Sequence, residues 1–271
     1  MRENASQLCT GTTPRQILFL HIPKTAGSTA RTYIEACIGS HRSGRSARLS
    51  ELDLKHLPTE VCAQKARSAR FASGHFSWNL MQKISRQEDA CRFTVLRDPY
   101  ERLRSYYFYM RHHPINKIPR GLLSVYARAE LPPAEFFNGG GELRFNQILN
   151  NYMTRALSGS LDIPQSPADW NRALTRAKAN LERLDHVCFT DTFRSDFIQV
   201  LRTADLPHVE PIRRQNVTAE LVEDEAERRL LDTPFDRDAD HAIELLIAYD
   251  IQLYAHARQL RFPADQRREV A

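Results

Sequence analysis

Lys24 lies in a turn between an apolar run, Ile-Leu-Phe-Leu over 17–20, and a helix opening of small and hydroxylated residues, Thr25-Ala26-Gly27-Ser28-Thr29. Strand, tight turn and helix start in that order make an anion site. The first N–H groups of a helix have no intrahelical acceptor, and the helix dipole favours negative charge beside them. Lys24 adds a mobile cation, Thr25, Ser28 and Thr29 add hydroxyl donors, and the backbone from Pro23 through Ala26 and Gly27 shapes the cradle. In the ATP-binding glycine loop the lysine follows the glycines and directly precedes Ser or Thr. Here it comes three residues before the glycine, so the expected guest is a phosphate-like group other than the γ-phosphate of ATP.

A second clamp follows about seventy residues later, in Leu96-Arg97-Asp98-Pro99-Tyr100-Glu101-Arg102-Leu103-Arg104-Ser105-Tyr106-Tyr107. Residues 91–96 read as a strand. Asp98-Pro99 reads as a capped helix start, because proline's missing N–H costs nothing in the first turn. Arg97 then stands at the carboxyl end of a strand, where open parallel sheets bind ligands, and Ser105 two turns into the next helix. An arginine and a hydroxyl together suit a phosphate. His75 follows a short strand read over 69–73 and divides between a structural residue and a proton acceptor, for which an imidazole of ordinary pKa ~6.5 is suited near neutral pH. His21 reads as a structural residue bonding the loop backbone, and His112-His113-Pro114 as a helix end. Tyr106, Tyr107 and Tyr109 divide between core packing and the lining of an acceptor cleft. Arg155, Arg213 and Arg214 divide between solvated surface and contact with the cofactor or an acidic ligand.

The elements that must position these groups alternate between strand and helix. Helices are predicted over 27–38, 78–85 and from 98, with a polar loop over 39–48. Further helices are predicted over 143–157, 169–184, 193–204, 220–231 and 239–260, and a strand over 186–190. Residues 115–141 read as an irregular, variable insertion: Pro114 precedes it, Pro119, Pro132 and Pro133 lie within it, and Gly139-Gly140-Gly141 ends it as a turn. The alternation predicts an α/β fold with a central parallel sheet flanked by helices. The expected division is a polar tail over 1–15, one domain over 16–262 and a polar tail over 263–271. Ligand specificity is expected in the insertion, because loops vary while a scaffold holds.

The pair Pro-Lys-Thr-Ala-Gly-Ser-Thr (23–29) and Arg-Asp-Pro-x-x-Arg-x-x-Ser-Tyr-Tyr (97–107) resembles the sulfotransferase superfamily. The opening His-Ile-Pro-Lys-Thr-Ala-Gly is most similar to its carbohydrate branch, which contains the heparan sulfate and uronyl 2-O-sulfotransferases and bacterial relatives. Ser73-Gly74-His75-Phe76, the stretch from Asn150 to Gly159, and Arg213-Arg214-Gln215-Asn216-Val217-Thr218 with Asp250-x-x-Leu253-Tyr254 extend the resemblance over about 17–260. The resemblance implies a P-loop-like three-layer domain using 3′-phosphoadenosine 5′-phosphosulfate (PAPS) as donor. Residues 23–29 would hold the 5′-phosphosulfate, with Lys24 at the bridging oxygen. Arg97 and Ser105 would hold the 3′-phosphate. His75 would take the proton of an attacking hydroxyl on an oligosaccharide, polysaccharide or glycolipid, without a metal. Two other readings stay open: a P-loop-type kinase, and a binding protein that keeps the fold without turnover.

Bulk properties are compatible with all three. The 271 residues carry a net charge of +5 with 42% hydrophobic residues, an ordinary soluble balance. The basic lean suits an anionic cofactor or an acidic glycan, and nothing calls for nucleic acid. No apolar run approaches the ~20 residues of a membrane span, and residues 1–15 lack the apolar stretch of a signal peptide. Five scattered cysteines, Cys9, Cys37, Cys62, Cys91 and Cys188, suggest neither a disulfide framework nor a zinc site. A reduced, cytoplasmic protein is the simplest expectation, a lumenal enzyme parted from its anchor the alternative. The sequence leaves the oligomeric state open.

Overall fold

Ile17–Leu20 forms strand β1, and all four of its side chains are fully buried. An unbroken apolar run of this kind marks a strand covered on both faces. A computed structural model of the chain describes residues 15–39, 46–49, 59–85, 90–112, 123–138, 147–208, 212 and 234–261. Strands β2 (Ser46–Leu49), β3 (Phe71–Gly74), β4 (Cys91–Leu96) and β5 (His186–Phe189) complete a sheet of order β2-β3-β1-β4-β5. Every pairing is parallel. Leu20 at the end of β1 is level with Gly74 of β3 and Thr94 of β4, so the loops after the three central strands open side by side.

Alternation along β1 divides the interior. Ile17 and Phe19 face helices α1 (Gly27–Gly39) and, further on, α9 (Phe193–Thr203), through Ile34, Ile38, Phe197 and Val200. Leu18 and Leu20 face the opposite layer. That layer contains α2 (Thr59–Arg67), α3 (Trp78–Ile84), α7 (Tyr152–Ser158), α8 (Pro167–Leu181) and the C-terminal half of α10 (Arg237–Arg261). A third cluster joins α4 (Pro99–His112) to α6 (Pro133–Asn138) and the first half of α10. Among the described residues no helix is long and apolar enough to cross a membrane.

The structure corrects several local expectations. The predicted polar loop over 39–48 contains the start of β2, an edge strand whose residues Ser-Ala-Arg-Leu carry no β-branched signal. The predicted helix over 143–157 breaks at Asn151, whose φ of 45° is left-handed, and α7 begins after it. The segment read as irregular over 115–141 holds α5 (Leu123–Arg128) as well as α6. Phe136 and Phe137 of α6 pack edge-on to each other at 4.9 Å and against Tyr107, which makes that part of the segment core. The 220–231 helix, Gly139-Gly140-Gly141, His113-Pro114 and both tails apart from Arg15 lie outside the described residues.

Candidate active site

β1 ends at Leu20, and the turn that follows is built under strain. Lys24 (φ 69°) and Ala26 (φ 62°) both adopt the left-handed conformation, which costs a residue with a Cβ about 1–3 kcal/mol. Surrounding bonds hold it there. Thr25 is buried and donates its hydroxyl to Ile22 O at 2.8 Å, while Ala26 O accepts from the amides of Thr29 and Ala30 at 3.1 and 3.3 Å. Thr25, expected to offer its hydroxyl to a ligand, thus spends it on the turn itself. Thr29 is buried as well, and Pro23, Ala26 and Ser28 keep partial exposure at the start of α1.

Gly27 admits the ring of His21. A methyl group at Gly27 would fall 1.9 Å from both Cδ2 and Nε2 of His21, so the glycine is required by close approach, its φ being unexceptional. The imidazole is wedged between that backbone, the ring of Phe19 at 5.2 Å and the ring of His75 at 4.6 Å. One main-chain and one side-chain bond fix the same juncture: His21 N donates to Gly74 O at 3.0 Å, and the Thr94 hydroxyl to Leu20 O at 2.8 Å. His21, expected only to bond the loop backbone, therefore links the anion loop to His75 by ring contact.

Two cations stand just past the adjacent strands β1 and β4. Burial and, secondarily, the Arg97 guanidinium pull the pKa of Lys24 down to about 7. Arg97, just past β4, bonds Glu101 Oε2 at 3.3 Å. Asp98 caps the following helix as expected, with its Oδ1 accepting from Glu101 N at 3.0 Å. Ser105, one turn after Glu101, is partly exposed. Tyr109, one turn further, sets its ring beneath the Lys24 ammonium, 3.8 Å from the ring centroid. Among the described residues, no group of three His, Cys, Asp or Glu side chains gathers as a metal would require.

Other candidates lie elsewhere. Arg155 is fully buried, and its guanidinium donates to the carbonyl oxygens of Asn150 (2.8 Å), Leu161 and Gln147. It ties the segments on either side of it together and is not presented to an acceptor, because three carbonyls five, six and eight residues away claim it. Tyr106 is buried in the third core cluster, so the tyrosine reaching the crevice is Tyr109. Its signal in the sequence was the four-residue spacing from Ser105, which puts both on one helix face. Arg213 and Arg214 lie outside the described residues.

The site therefore gathers a strained lysine loop, a second cation and an imidazole at the carboxyl ends of β1, β4 and β3, where the sheet reverses its order of connection and ligands bind. No curated protein matches the chain. A family model described as the sulfotransferase family matches residues 11–255. A match over that span embraces all five strands and the site between them, and on it the chain belongs to the sulfotransferase family, whose activity class is sulfuryl transfer.

Proposed function

We propose that this enzyme moves the sulfuryl group of PAPS to a hydroxyl of a carbohydrate acceptor. The observation that carries the reading is the placement of the left-handed Lys24 loop and of Arg97 just past the adjacent strands β1 and β4, with burial and, secondarily, Arg97 disfavouring the charged lysine. Two cationic side chains at neighbouring helix starts fit an anion phosphorylated at more than one position. The family match and the Lys24 loop favour PAPS, and the likeness of residues 21–27 to the carbohydrate branch favours a sugar hydroxyl.

When bound, PAPS supplies an activated sulfuryl group on a phosphate leaving group. Lys24 holds positive charge where charge grows on that phosphate, and amides at Gly27 and Ser28 face the same anion. Arg97 and Ser105 hold the 3′-phosphate. His75 accepts the proton of the acceptor hydroxyl, with its ring backed by His21. Positioning by this rigid loop carries most of the catalytic work.

The test is transfer of labelled sulfate from PAPS to a panel of neutral and acidic glycans, with Lys24→Ala and His75→Ala alongside. Labelled glycan with the wild type and loss of label with both variants is the expected result. A companion thermal-shift series compares phosphoadenosine phosphate (PAP) with ADP and ATP–Mg²⁺. Stronger stabilisation by ATP–Mg²⁺ would sink the reading in favour of a kinase.

A further inference from the structure

Two cations of the site rest on one face of α4, and their seats differ in kind. Arg97 sits on the carboxylate of Glu101. Lys24 sits on the ring of Tyr109. Glu101, Ser105 and Tyr109 follow at four-residue intervals, so they share a stripe, with Ser105 in the turn between the two seats. A carboxylate cancels the charge it holds. An aromatic face attracts an ammonium through its quadrupole and leaves the net charge in place. The ring is itself held, because Tyr109 packs against the third core cluster. The lysine stem would otherwise sample many rotamers from a backbone fixed in the left-handed turn.

We propose that Tyr109 is a positioning residue for Lys24: its ring seats the ammonium over the donor site in the empty enzyme and keeps it charged for the incoming anion. Burial and Arg97 press toward the neutral amine, and the ring face opposes them without supplying a competing anion. The proposal rests on the reading of Lys24 as the contact to the sulfuryl donor.

The seat is tested without donor by reductive ¹³C-methylation of the 271-residue chain, which has six lysines. One dimethylamino signal should lie upfield through the ring current of Tyr109 and vanish in Lys24→Arg. It should persist in Tyr109→Phe and lose its shift in Tyr109→Leu and in the bulk-retaining Tyr109→Met. In turnover, Tyr109→Leu and Tyr109→Met should lower kcat by about 3- to 30-fold with little change in KM for PAPS, and Tyr109→Phe should restore it. In a Lys24→Ala background Tyr109→Leu should cost nothing further. An upfield signal that survives Tyr109→Leu, a Tyr109→Phe variant as slow as Tyr109→Leu, or an equal loss in the Lys24→Ala background would overturn the proposal. A wild type that shows the upfield signal but transfers no sulfate from PAPS would overturn the functional reading and leave the seat standing.

Discussion

Asn151 and Asp250 trade hydrogen bonds between two helices. The side-chain oxygen of Asn151 accepts from the amide of Asp250 at 2.9 Å and of Tyr249 at 2.8 Å. The carboxylate of Asp250 in turn accepts from the amides of Met153 and Thr154, at 3.2 and 2.8 Å, which begin α7. Asn151 N closes the exchange on Leu246 O at 2.7 Å. The left-handed backbone of Asn151 allows this geometry, and asparagine tolerates it better than most residues. Arg102 of α4 completes the joint, with Nη2 3.9 Å from the Asp250 carboxylate and 3.1 Å from Leu149 O.

Arg102 and Asp250 are both fully buried. Removing either charge alone leaves the other stranded, so Asp250→Ala and Arg102→Met should each destabilise the fold by about 3–5 kcal/mol. The double variant should lose clearly less than the sum. Chemical denaturation of the three variants checks this, and strictly additive losses would contradict a coupled pair.

Gly27→Ala should be poorly tolerated even though alanine is the better helix former, because its methyl group meets the His21 ring. Overpacking of this kind costs about 1–3 kcal/mol, and displacement of the ring disturbs its contact with His75. Shortening the neighbour relieves the clash: Gly27→Ala combined with His21→Ala should regain thermal stability relative to Gly27→Ala alone. A melting temperature unchanged by Gly27→Ala would show that the loop yields freely.

Lys24 should weaken the empty protein in a pH-dependent manner. Its pKa falls from an unfolded value of 10.5 to about 7 in the fold, so between these values the unfolded chain binds the extra proton. Stability from this group therefore rises with pH across that window. Lys24→Met should stabilise the empty protein most below about pH 7, with the advantage shrinking toward pH 10. Melting temperatures of the two proteins from pH 6 to pH 10 test the trend, and a pH-independent difference would refute it. Saturating PAP should reverse the order, because the anion restores a purpose to the charge.

His75→Ala should lower kcat by about 10²- to 10⁴-fold, the range of a lost general base, while PAP affinity measured by calorimetry stays within a few-fold. A variant that loses PAP binding in proportion to rate would place His75 in donor binding instead.

The central strands and their loops were legible because the information is local. A buried apolar run, a lysine turn and an Asp-Pro helix start each declare themselves over fewer than about ten residues. The edge strand β2 was not legible, since Ser-Ala-Arg-Leu becomes a strand only by lying beside β3. Arg155 was misread for a related reason, whereas core packing was one of the two readings the sequence allowed for Tyr106. An arginine reads as a surface or ligand-binding group, and only the fold brings the carbonyls of Gln147, Asn150 and Leu161 around it. The wedge of His21 against Gly27 likewise needs the third strand, since His75 completes it.

The central place of β1 has a consequence for how the molecule comes to exist. β1 is the first described strand to leave the ribosome, yet its two neighbours, paired at Gly74 and Thr94, arrive about fifty and seventy residues later. A nascent chain that has just made Lys24 has neither His75 nor Arg97, so the three sides of the crevice come together only after Arg97 has been added. Such distant pairings form slowly, and the proposed capture of a nucleotide donor waits for them. A ligand that binds only the finished sheet adds its binding energy to that state alone. Under the proposed function, a nucleotide donor would favour only those copies in which three distant segments have met.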